Sequence, residues 1–188
     1  MGRWEPNARG RLMQAAFALY GERGFEQTTV AEIAERAGLT ERTFFRHFTD
    51  KREVLFAGAE ALQELLVSTV AEAPASLPPI EAAAVGLEAI GGFIQEGGDF
   101  ARQRQAIIAS SAELQERELI KLASLATALT EALRARGVED PAASLTAEAG
   151  VAVFKVAFER YVDENSQKDL QQLIRESLDG LKAITARR

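Results

Sequence analysis

The sequence predicts an all-α protein of about nine helices, in which an N-terminal helix-turn-helix is followed by a larger helical region. Apolar residues recur at helical spacing along nearly the whole chain. Residues that favour helix N-termini, Thr29, Thr40 and Asp50, stand directly before three such segments. Gly24 and Gly38 stand where helices should end, because glycine readily adopts the left-handed conformation found at many helix C-termini.

Length and composition exclude several classes of protein. With 188 residues, of which 47% are hydrophobic, the chain can bury a core in one or two domains. It has no long apolar run, and its first residues carry charge without an apolar stretch behind them. We therefore expect neither a membrane span nor a signal peptide, but a cytoplasmic protein. The absence of Cys and the single His predict no disulfide, no metal site, no cofactor and no catalytic triad.

Charge is distributed unevenly along the chain. Residues 1–56 hold nine Lys and Arg against eight Asp and Glu, a balance of +1. The remaining residues hold 13 against 20 and so carry −7. Contact with DNA phosphates needs a local basic face rather than a basic protein. The net charge of −6 therefore permits an N-terminal region that binds nucleic acid.

The N-terminal helices are predicted from their caps and apolar stripes. Thr29 and Glu32 have the spacing of a capping box, in which each side chain accepts a hydrogen bond from the backbone amide of the other residue. Leu39 follows Gly38 in a short turn and is expected to anchor that turn in the core. The predicted helices are residues 8–23, 29–38 and 41–47, and a fourth that begins at Lys51 behind an Asp50 cap.

The third predicted helix combines aromatic residues with cations. Phe44 and Phe48 lie four residues apart and therefore share one helix face, which we expect to pack into the core. Arg42, Phe45 and Arg46 lie on the remaining surface, which the second helix of a helix-turn-helix offers to its partner. Packing therefore accounts for Phe44 and Phe48 but leaves Phe45 unexplained.

The segment TTVAEIAERAGLTERTFFRHFTDKREVL, preceded by a helix that ends in ALYGERGFEQ, resembles the DNA-binding domain of TetR-family transcriptional regulators. The resemblance covers about the first 56 residues. Helix lengths, the alanine-glycine turn, the aromatic pair, the His-Phe and the following Lys all fall in register.

The resemblance implies a recognition helix in the major groove with phosphates bound around it. Residues 40–47 would enter the groove. Thr28 or Thr29, Thr40 and Lys51 would bind phosphates, because hydroxyls, cations and helix-terminal amides suit phosphate oxygens. The candidate DNA contacts are Thr28, Thr29, Thr40, Glu41, Arg42, Thr43, Phe45, Arg46, His47 and Lys51.

Several of these side chains admit more than one role. Arg42 and Arg46 are solvated charges, phosphate contacts or bidentate readers of guanine. Glu41 reads a cytosine amino group or stays at the rim, and His47 packs at the helix end or binds a phosphate. At the position of Phe45 the family usually carries Tyr, whose hydroxyl often touches the DNA backbone. Phe45 is thus left with an apolar contact, to a sugar or a thymine methyl.

The rest of the chain, residues 57–188, is expected to form a helical effector-binding and dimerisation domain beside a DNA-binding domain of residues 1–56. A long helix over about residues 51–72 should lead from one to the other, and three prolines follow it. Further helices are predicted at about 80–96, 99–109, 111–136, 142–164 and 167–185, the last two separated by Asn165-Ser166.

The last two predicted helices have wide apolar faces that need a cover. The resemblance implies that this pair meets its symmetry mate in a four-helix bundle, and the alternative is packing within one chain. A twofold dimer would set two recognition helices about 34 to 36 Å apart, so that they read both halves of a palindrome. The expected interface residues are Val153, Val156, Leu170, Leu173, Ile174, Leu178 and Leu181, with Leu145, Ala149 and Ala152 on the same face of the first helix.

The resemblance also implies a small-molecule pocket among the middle helices, the alternative for each candidate being ordinary core. Arg102 and Arg104 either meet an anionic ligand or lie in solvent. The candidate pocket residues are Phe93, Phe100, Arg104, Ile107, Leu125, Phe154, Phe158 and Tyr161.

The function implied is that of a ligand-responsive transcriptional regulator. It would bind a palindromic DNA operator as a homodimer, most often as a repressor released by a small effector. The alternative is a helical protein-interaction module with a vestigial DNA-binding unit. No enzyme is expected, because the sequence holds no Walker loop, no dinucleotide-binding glycine fingerprint and no cluster of metal ligands. The expected partners are double-stranded DNA, a second copy of the chain and an unidentified effector, with no membrane.

Overall fold

The described chain is helical throughout. The computed structural model describes residues 7–163 and 168–186, which form nine helices and no strand. This confirms the predicted all-α fold with its N-terminal helix-turn-helix. The helices are α1 (Ala8–Arg23), α2 (Val30–Arg36), α3 (Glu41–His47), α4 (Ala59–Glu72), α5 (Pro79–Glu96), α6 (Phe100–Ala109), α7 (Ala112–Ala135), α8 (Ala142–Val162) and α9 (Leu170–Thr185).

The first three helices lie close to their predicted positions because their caps form as expected. Thr29 Oγ1 accepts a hydrogen bond from Glu32 N at 3.2 Å, and Glu32 Oε2 accepts one from Thr29 N at 2.9 Å, which completes the capping box. Thr40 Oγ1 accepts from the amide three residues on at 3.2 Å. Gly38, with φ of 66°, lets the chain reverse between α2 and α3. Gly24 has φ of 84° but ψ of 159°, so it ends α1 without adopting the expected left-handed helical conformation.

The fourth helix is shorter than the sequence predicts. Asp50 does cap this segment, because its Oδ1 accepts from the amides two and three residues on, at 2.8 and 3.2 Å. Residues 51–58, however, form consecutive turns, and regular α4 begins only at Ala59. The reason is packing. Three consecutive side chains, Val54, Leu55 and Phe56, are all buried here. Consecutive residues of a regular α-helix lie on different faces, so a helix would not direct all three into one core.

The helices α5 to α9 begin and end within a few residues of their predicted bounds. Prolines mark the start of α5, as expected from the fixed φ of proline in the first helical turn. The predicted break at Asn165-Ser166 lies outside the described residues.

The chain divides into two compact units. Unit 1 comprises the residues up to Gly58 together with Gln103–Arg117, and unit 2 comprises Ala59–Arg102 and the residues from Glu118 onward. The functional boundary at residue 56 stays a prediction. The compact N-terminal unit differs from it mainly by including the end of α6 and the start of α7.

The core of unit 1 draws on every segment of that unit. Phe44 and Phe48 are buried, as their spacing predicts, and Leu39 packs partly against them. The α6–α7 corner contributes Ile107, Ile108 and Leu114. Other members come from α1 and from residues 54–56, so the α6–α7 corner is part of the same core as the helix-turn-helix.

The core of unit 2 is built where α5, α8 and α9 meet, with α4 against α5. Close approach requires Gly91 on α5, since a Cβ there would lie 2.8 Å from Ile174 Cδ1 of α9. Five residues of the predicted dimer interface are already buried within one chain, and the interface itself stays a prediction. These are Val153, Leu170, Leu173, Ile174 and Leu178, while Leu181 packs partly against the same core.

Truncating Leu114 should destabilise unit 1. Leu114 is fully buried, so Leu114→Ala should lower the free energy of unfolding by about 2 to 5 kcal/mol, measured by urea denaturation. Leu119→Ala is the matched control, because this side chain lies on the same helix but is 60% exposed and should change stability by less than about 0.5 kcal/mol. Equal effects of the two substitutions would contradict the placement of α7 in the core of unit 1.

Candidate nucleic-acid interface

The exposed surface of α3 carries charge around one aromatic ring. Glu41, Arg42, Phe45 and Arg46 are all exposed and lie on one side of the helix, opposite the buried Phe44. Their spacing of one, three and four residues places them on a single face. We call these four residues the α3 face.

Arg42 and Arg46 differ from the other cations of the chain. In residues 7–163 and 168–186, each other Lys and Arg makes a hydrogen bond, an ion pair or a ring contact. Within that same part of the chain Arg42 and Arg46 make none. Two adjacent guanidinium groups with all their donors available form a local basic site on an otherwise acidic protein.

The two candidate threonines before α2 have different surroundings. Thr28 is 1% exposed, and its hydroxyl donates to Gly24 O at 2.9 Å. Its side chain therefore cannot reach a phosphate without breaking that contact. Thr29 is exposed, and its hydroxyl serves the N-terminus of α2. Thr29 also uses its hydroxyl proton, which it donates to Glu32 Oε2 at 2.9 Å, so exposure alone distinguishes Thr29 from Thr28 as a candidate phosphate contact.

Lys51 has a structural role that the sequence did not indicate. Its ammonium group donates to the backbone carbonyls of Phe25 and Thr28, both at 2.9 Å, and to that of Glu26 at 3.4 Å. It also lies 4.3 Å from the centroid of the Phe25 ring. These contacts tie the loop between α1 and α2 to the segment after α3. They also occupy the N–H donors of Lys51 that a phosphate would need.

A buried tyrosine holds the same segment from the other side. Tyr20 of α1 donates its hydroxyl to Lys51 O at 2.6 Å. Burial raises the pKa of Tyr20, and the nearby Asp50 carboxylate raises it further, so the phenol stays a neutral donor. Together, Tyr20 and Lys51 set the position of the chain that leaves α3.

The remaining candidates lie at the two ends of α3. At its start Thr40 is exposed, and its hydroxyl lies 3.1 Å from that of Thr43. At its end His47 is half-buried, and its Nε2 has no solvent contact and no hydrogen-bond partner in the part of the chain that the structure describes. This geometry favours packing for His47 over a phosphate contact through Nε2.

Crossed ion pairs join the segment after α3 to the start of α7. Arg52 and Glu113 lie 2.6 Å apart, and Arg117 and Glu53 lie 2.5 Å apart. Arg52 also holds the pKa of the Asp50 carboxyl below its usual range through a direct hydrogen bond. Sequence reasoning missed these pairs, because about sixty residues separate their members and the charges taken one at a time are typical of any solvated helix.

The predicted effector pocket is divided between the two units. Arg104 donates to Leu55 O at 2.8 Å and lies over the Phe56 ring, and Ile107 is buried in the core of unit 1. The other candidates belong to unit 2, where Phe93 and Phe100 are exposed and the rest pack in or against the core. The latter are Leu125, Phe154, Phe158 and Tyr161.

Both arginines considered for an anionic ligand have protein partners. Arg104 is held within unit 1 as described, and Arg102 pairs with Asp99 at 3.2 Å and lies 5.4 Å from the Tyr161 ring centroid. The Nε of Arg102 is buried without a partner in the described chain. Neither arginine lines the groove described next.

A groove of about 710 Å³ opens between α4 and α7 in unit 2. None of the predicted pocket residues lines it. Its walls are small or polar side chains and include no Lys or Arg; the lining residues are Gln63, Val67, Ser124, Thr127, Ala128, Glu131, Ala132 and Ala135. The sequence did not single these residues out, because small side chains on amphipathic helices are common.

Two further properties hold for the described residues. No helix among them combines the length and the apolar character that a membrane crossing requires. Over the same ranges, no three His, Cys, Asp or Glu side chains are grouped in a way that could bind a metal ion.

Comparison with protein families identifies the chain. The family model described as "Bacterial regulatory proteins, tetR family" matches residues 12–57, which contain the whole helix-turn-helix. A second model, "MftR C-terminal domain", matches residues 77–186, more than half of the chain. The chain belongs to the TetR family. TetR-family proteins are DNA-binding transcriptional regulators and not enzymes, which confirms both the resemblance and the expectation that the chain is not an enzyme.

Curated relatives of this TetR-family chain match it over less than half of its length. The transcriptional regulator TcmR of Streptomyces glaucescens is 35% identical over 89 residues, which are 47% of this chain and 39% of TcmR. The transcriptional repressor KstR2 of Mycobacterium tuberculosis is 40% identical over 47 residues, or 25% of this chain and 24% of KstR2. The matches thus span well under half the length of either relative.

The fold is also found among solved structures. That of SmeT in complex with triclosan aligns with a TM-score of 0.67 over 94% of this chain and 90% of SmeT, at 21% sequence identity. SmeT is a repressor from Stenotrophomonas maltophilia. At this identity the similarity establishes the fold alone.

Replacing Lys51 should affect stability more than DNA affinity. Lys51→Met keeps the apolar stem but leaves three carbonyls without their donor, so the free energy of unfolding should fall by about 1.5 to 3 kcal/mol in urea denaturation. Arg46→Met, the matched control on the α3 face, should leave stability within about 0.5 kcal/mol of the wild type. A Lys51→Met protein of unchanged stability that had lost DNA affinity would instead support the phosphate role.

Proposed function

We propose that this TetR-family protein is a homodimeric, cytoplasmic repressor that binds a palindromic operator and is released by a small-molecule effector. The observation that carries this proposal is the α3 face, with two arginines that have no partner within the described chain. The proposed DNA contacts are this face together with Thr29, Thr40 and Thr43.

The α3 face suits DNA for a physical reason. A guanidinium group that lacks an internal partner has its donors available for phosphate or for the O6 and N7 atoms of guanine. When such a guanidinium group binds DNA, no ion pair within the protein has to be broken. The exposed Glu41 beside it limits non-specific attraction to phosphates and can accept from a cytosine amino group.

The dimer proposal rests on α8. Although most of the predicted interface is buried within one chain, α8 leaves one apolar stripe outside the core, spaced by four, three and four residues. Leu145 and Val156 in this stripe are 67% and 49% exposed, and Ala149 and Ala152 lie between them. Alternating steps of four and three residues are the spacing at which two helices pack against each other. We therefore propose that the stripe packs against α8 of a second copy of the chain.

The groove between α4 and α7 supports the effector part of the proposal. Its wall carries one carboxylate, Glu131, which already pairs with Arg134 at 2.5 Å, and it carries no cation, so it favours an uncharged ligand over an ion. The Gln63 amide has no hydrogen-bond partner within the described chain and offers both a donor and an acceptor. A ligand that fits only one setting of α4 would shift the population of DNA-competent dimers, typically by 1 to 3 kcal/mol in coupling, or roughly 5- to 150-fold.

Removing either arginine of the α3 face should weaken operator binding. The operator is first selected from genomic fragments with the purified protein, then titrated by fluorescence anisotropy at several salt concentrations. Per half-site, a lost phosphate contact should reduce the slope of log affinity against log salt by about 0.9, whereas a lost guanine contact should cost about 1 to 3 kcal/mol at unchanged slope. The variants are Arg42→Ala and Arg46→Ala.

Arg175→Ala is the control for both variants, because Arg175 is equally a surface arginine but pairs with Glu88 at 2.7 Å in unit 2. Its operator affinity should equal that of the wild type. Failure to enrich any palindrome above bulk DNA would overturn the proposal and favour a protein-interaction module.

Placing a charge in the α8 stripe should break the dimer. Leu145→Glu would bury a carboxylate in the proposed seam, so sedimentation velocity at micromolar concentration should show monomers, and operator affinity should fall at least about tenfold through the loss of bivalent binding. Leu119→Glu introduces the same charge at an exposed leucine of α7 and should leave the protein dimeric. A Leu145→Glu protein that sediments as a dimer would show that another surface forms the interface.

A further inference from the structure

The α3 face exposes an aromatic ring where solvated or charged residues are usual. Phe45 is 56% exposed, although Phe44 and Phe48 of the same helix are buried. A phenyl ring has no donor or acceptor, so it can neither bind a phosphate nor form a hydrogen bond with a base. Its position between the two unpartnered arginines thus calls for an apolar group on the partner.

The orientation of this ring is set by the protein itself. The Phe45 ring meets the ring of Phe44 edge to face, with centroids 5.5 Å apart and planes at 84°. Phe44 is in turn held by Phe48, at a centroid distance of 5.5 Å. Because Phe44 is fully buried, the exposed ring rests on a fixed support and loses little freedom on binding.

The major groove of DNA offers one apolar group to such a ring. Of the four base pairs seen from that groove, only those with thymine present a methyl group, and the others offer mainly hydrogen-bond donors and acceptors. Arg42 and Arg46 lie three residues before and one residue after Phe45, so their donors can engage phosphates or guanine on either side of the ring.

We propose that Phe45 is a specificity-determining residue that reads the C5-methyl group of one thymine in each operator half-site. This inference rests on the proposed DNA-binding function. The sequence preference would then come from an apolar contact. The preference for thymine over uracil at that base pair should not depend on ionic strength, because the phenyl ring neutralises no phosphate.

Replacing thymine by deoxyuridine isolates the methyl group, since base pairing and charge are unchanged. Each thymine of the selected operator is replaced in turn, symmetrically in both half-sites, and affinity for the full-length wild type is measured by anisotropy. One position should lose roughly 4-fold per half-site, the value expected for one buried methyl group. That ratio between thymine and uracil should be the same at low and high salt.

Protein variants connect this loss to Phe45. Phe45→Ala should bind the thymine operator more weakly and should no longer distinguish thymine from uracil at the sensitive position, whereas Phe45→Leu should retain part of the discrimination. Arg46→Ala should bind more weakly with the discrimination intact. Urea denaturation of each variant shows whether it is folded, and Phe45→Leu keeps the test available should Phe45→Ala unfold.

The outcomes separate this inference from the proposed function. Specific binding of a palindrome in which no deoxyuridine replacement has an effect would overturn the role of Phe45 and leave the operator-binding function standing. A methyl effect that persists in Phe45→Ala would assign the reading to another residue and would likewise overturn it. Failure to select any operator would remove both.

Discussion

Burial of Phe44 is the interaction on which the α3 face depends. Its ring sits in the core of unit 1 together with Phe48, and this fixes the rotation of α3 about its own axis. Once that rotation is fixed, the four residues of the α3 face, on the opposite side of the helix, point into solvent. The exposed guanidinium groups and the exposed ring of Phe45 are thus consequences of hydrophobic packing rather than of any interaction of their own.

The position of α3 depends in turn on chain that lies far away in sequence. The turns of residues 51–58 follow α3 directly, and they are held by α1 through Tyr20 and by the start of α7 through two crossed ion pairs. The α6–α7 corner also contributes apolar residues to the same core. The chain passes from unit 2 into this corner and back again, so unit 1 is joined to unit 2 through α6 and α7 as well as through α4.

Helices α8 and α9 show why an apolar face does not by itself identify its partner. Their wide apolar faces predict that these faces are buried. The spacing of apolar residues is the same, however, whether the face is buried within one chain or against a second copy. Most of the predicted residues pack in the core of unit 2, where Gly91 of α5 allows α9 to approach closely. Of the predicted α8 residues, Leu145 and Val156 remain exposed, so the packing of one chain determines which apolar residues stay on the surface.

The sequence by itself determined most of the helices, the capping box, the helix-turn-helix and the family, because caps, glycine turns and apolar spacing act over a few residues. It also indicated Arg42, Phe45 and Arg46 as the outward residues of α3. Only the tertiary structure decided that Lys51 binds carbonyls, that Thr28 is buried, that Arg104 and Ile107 belong to unit 1 and that the groove in unit 2 lies elsewhere. Each of these depends on contacts between residues far apart in the chain, and the charge or apolarity of a single side chain is compatible with several such contacts.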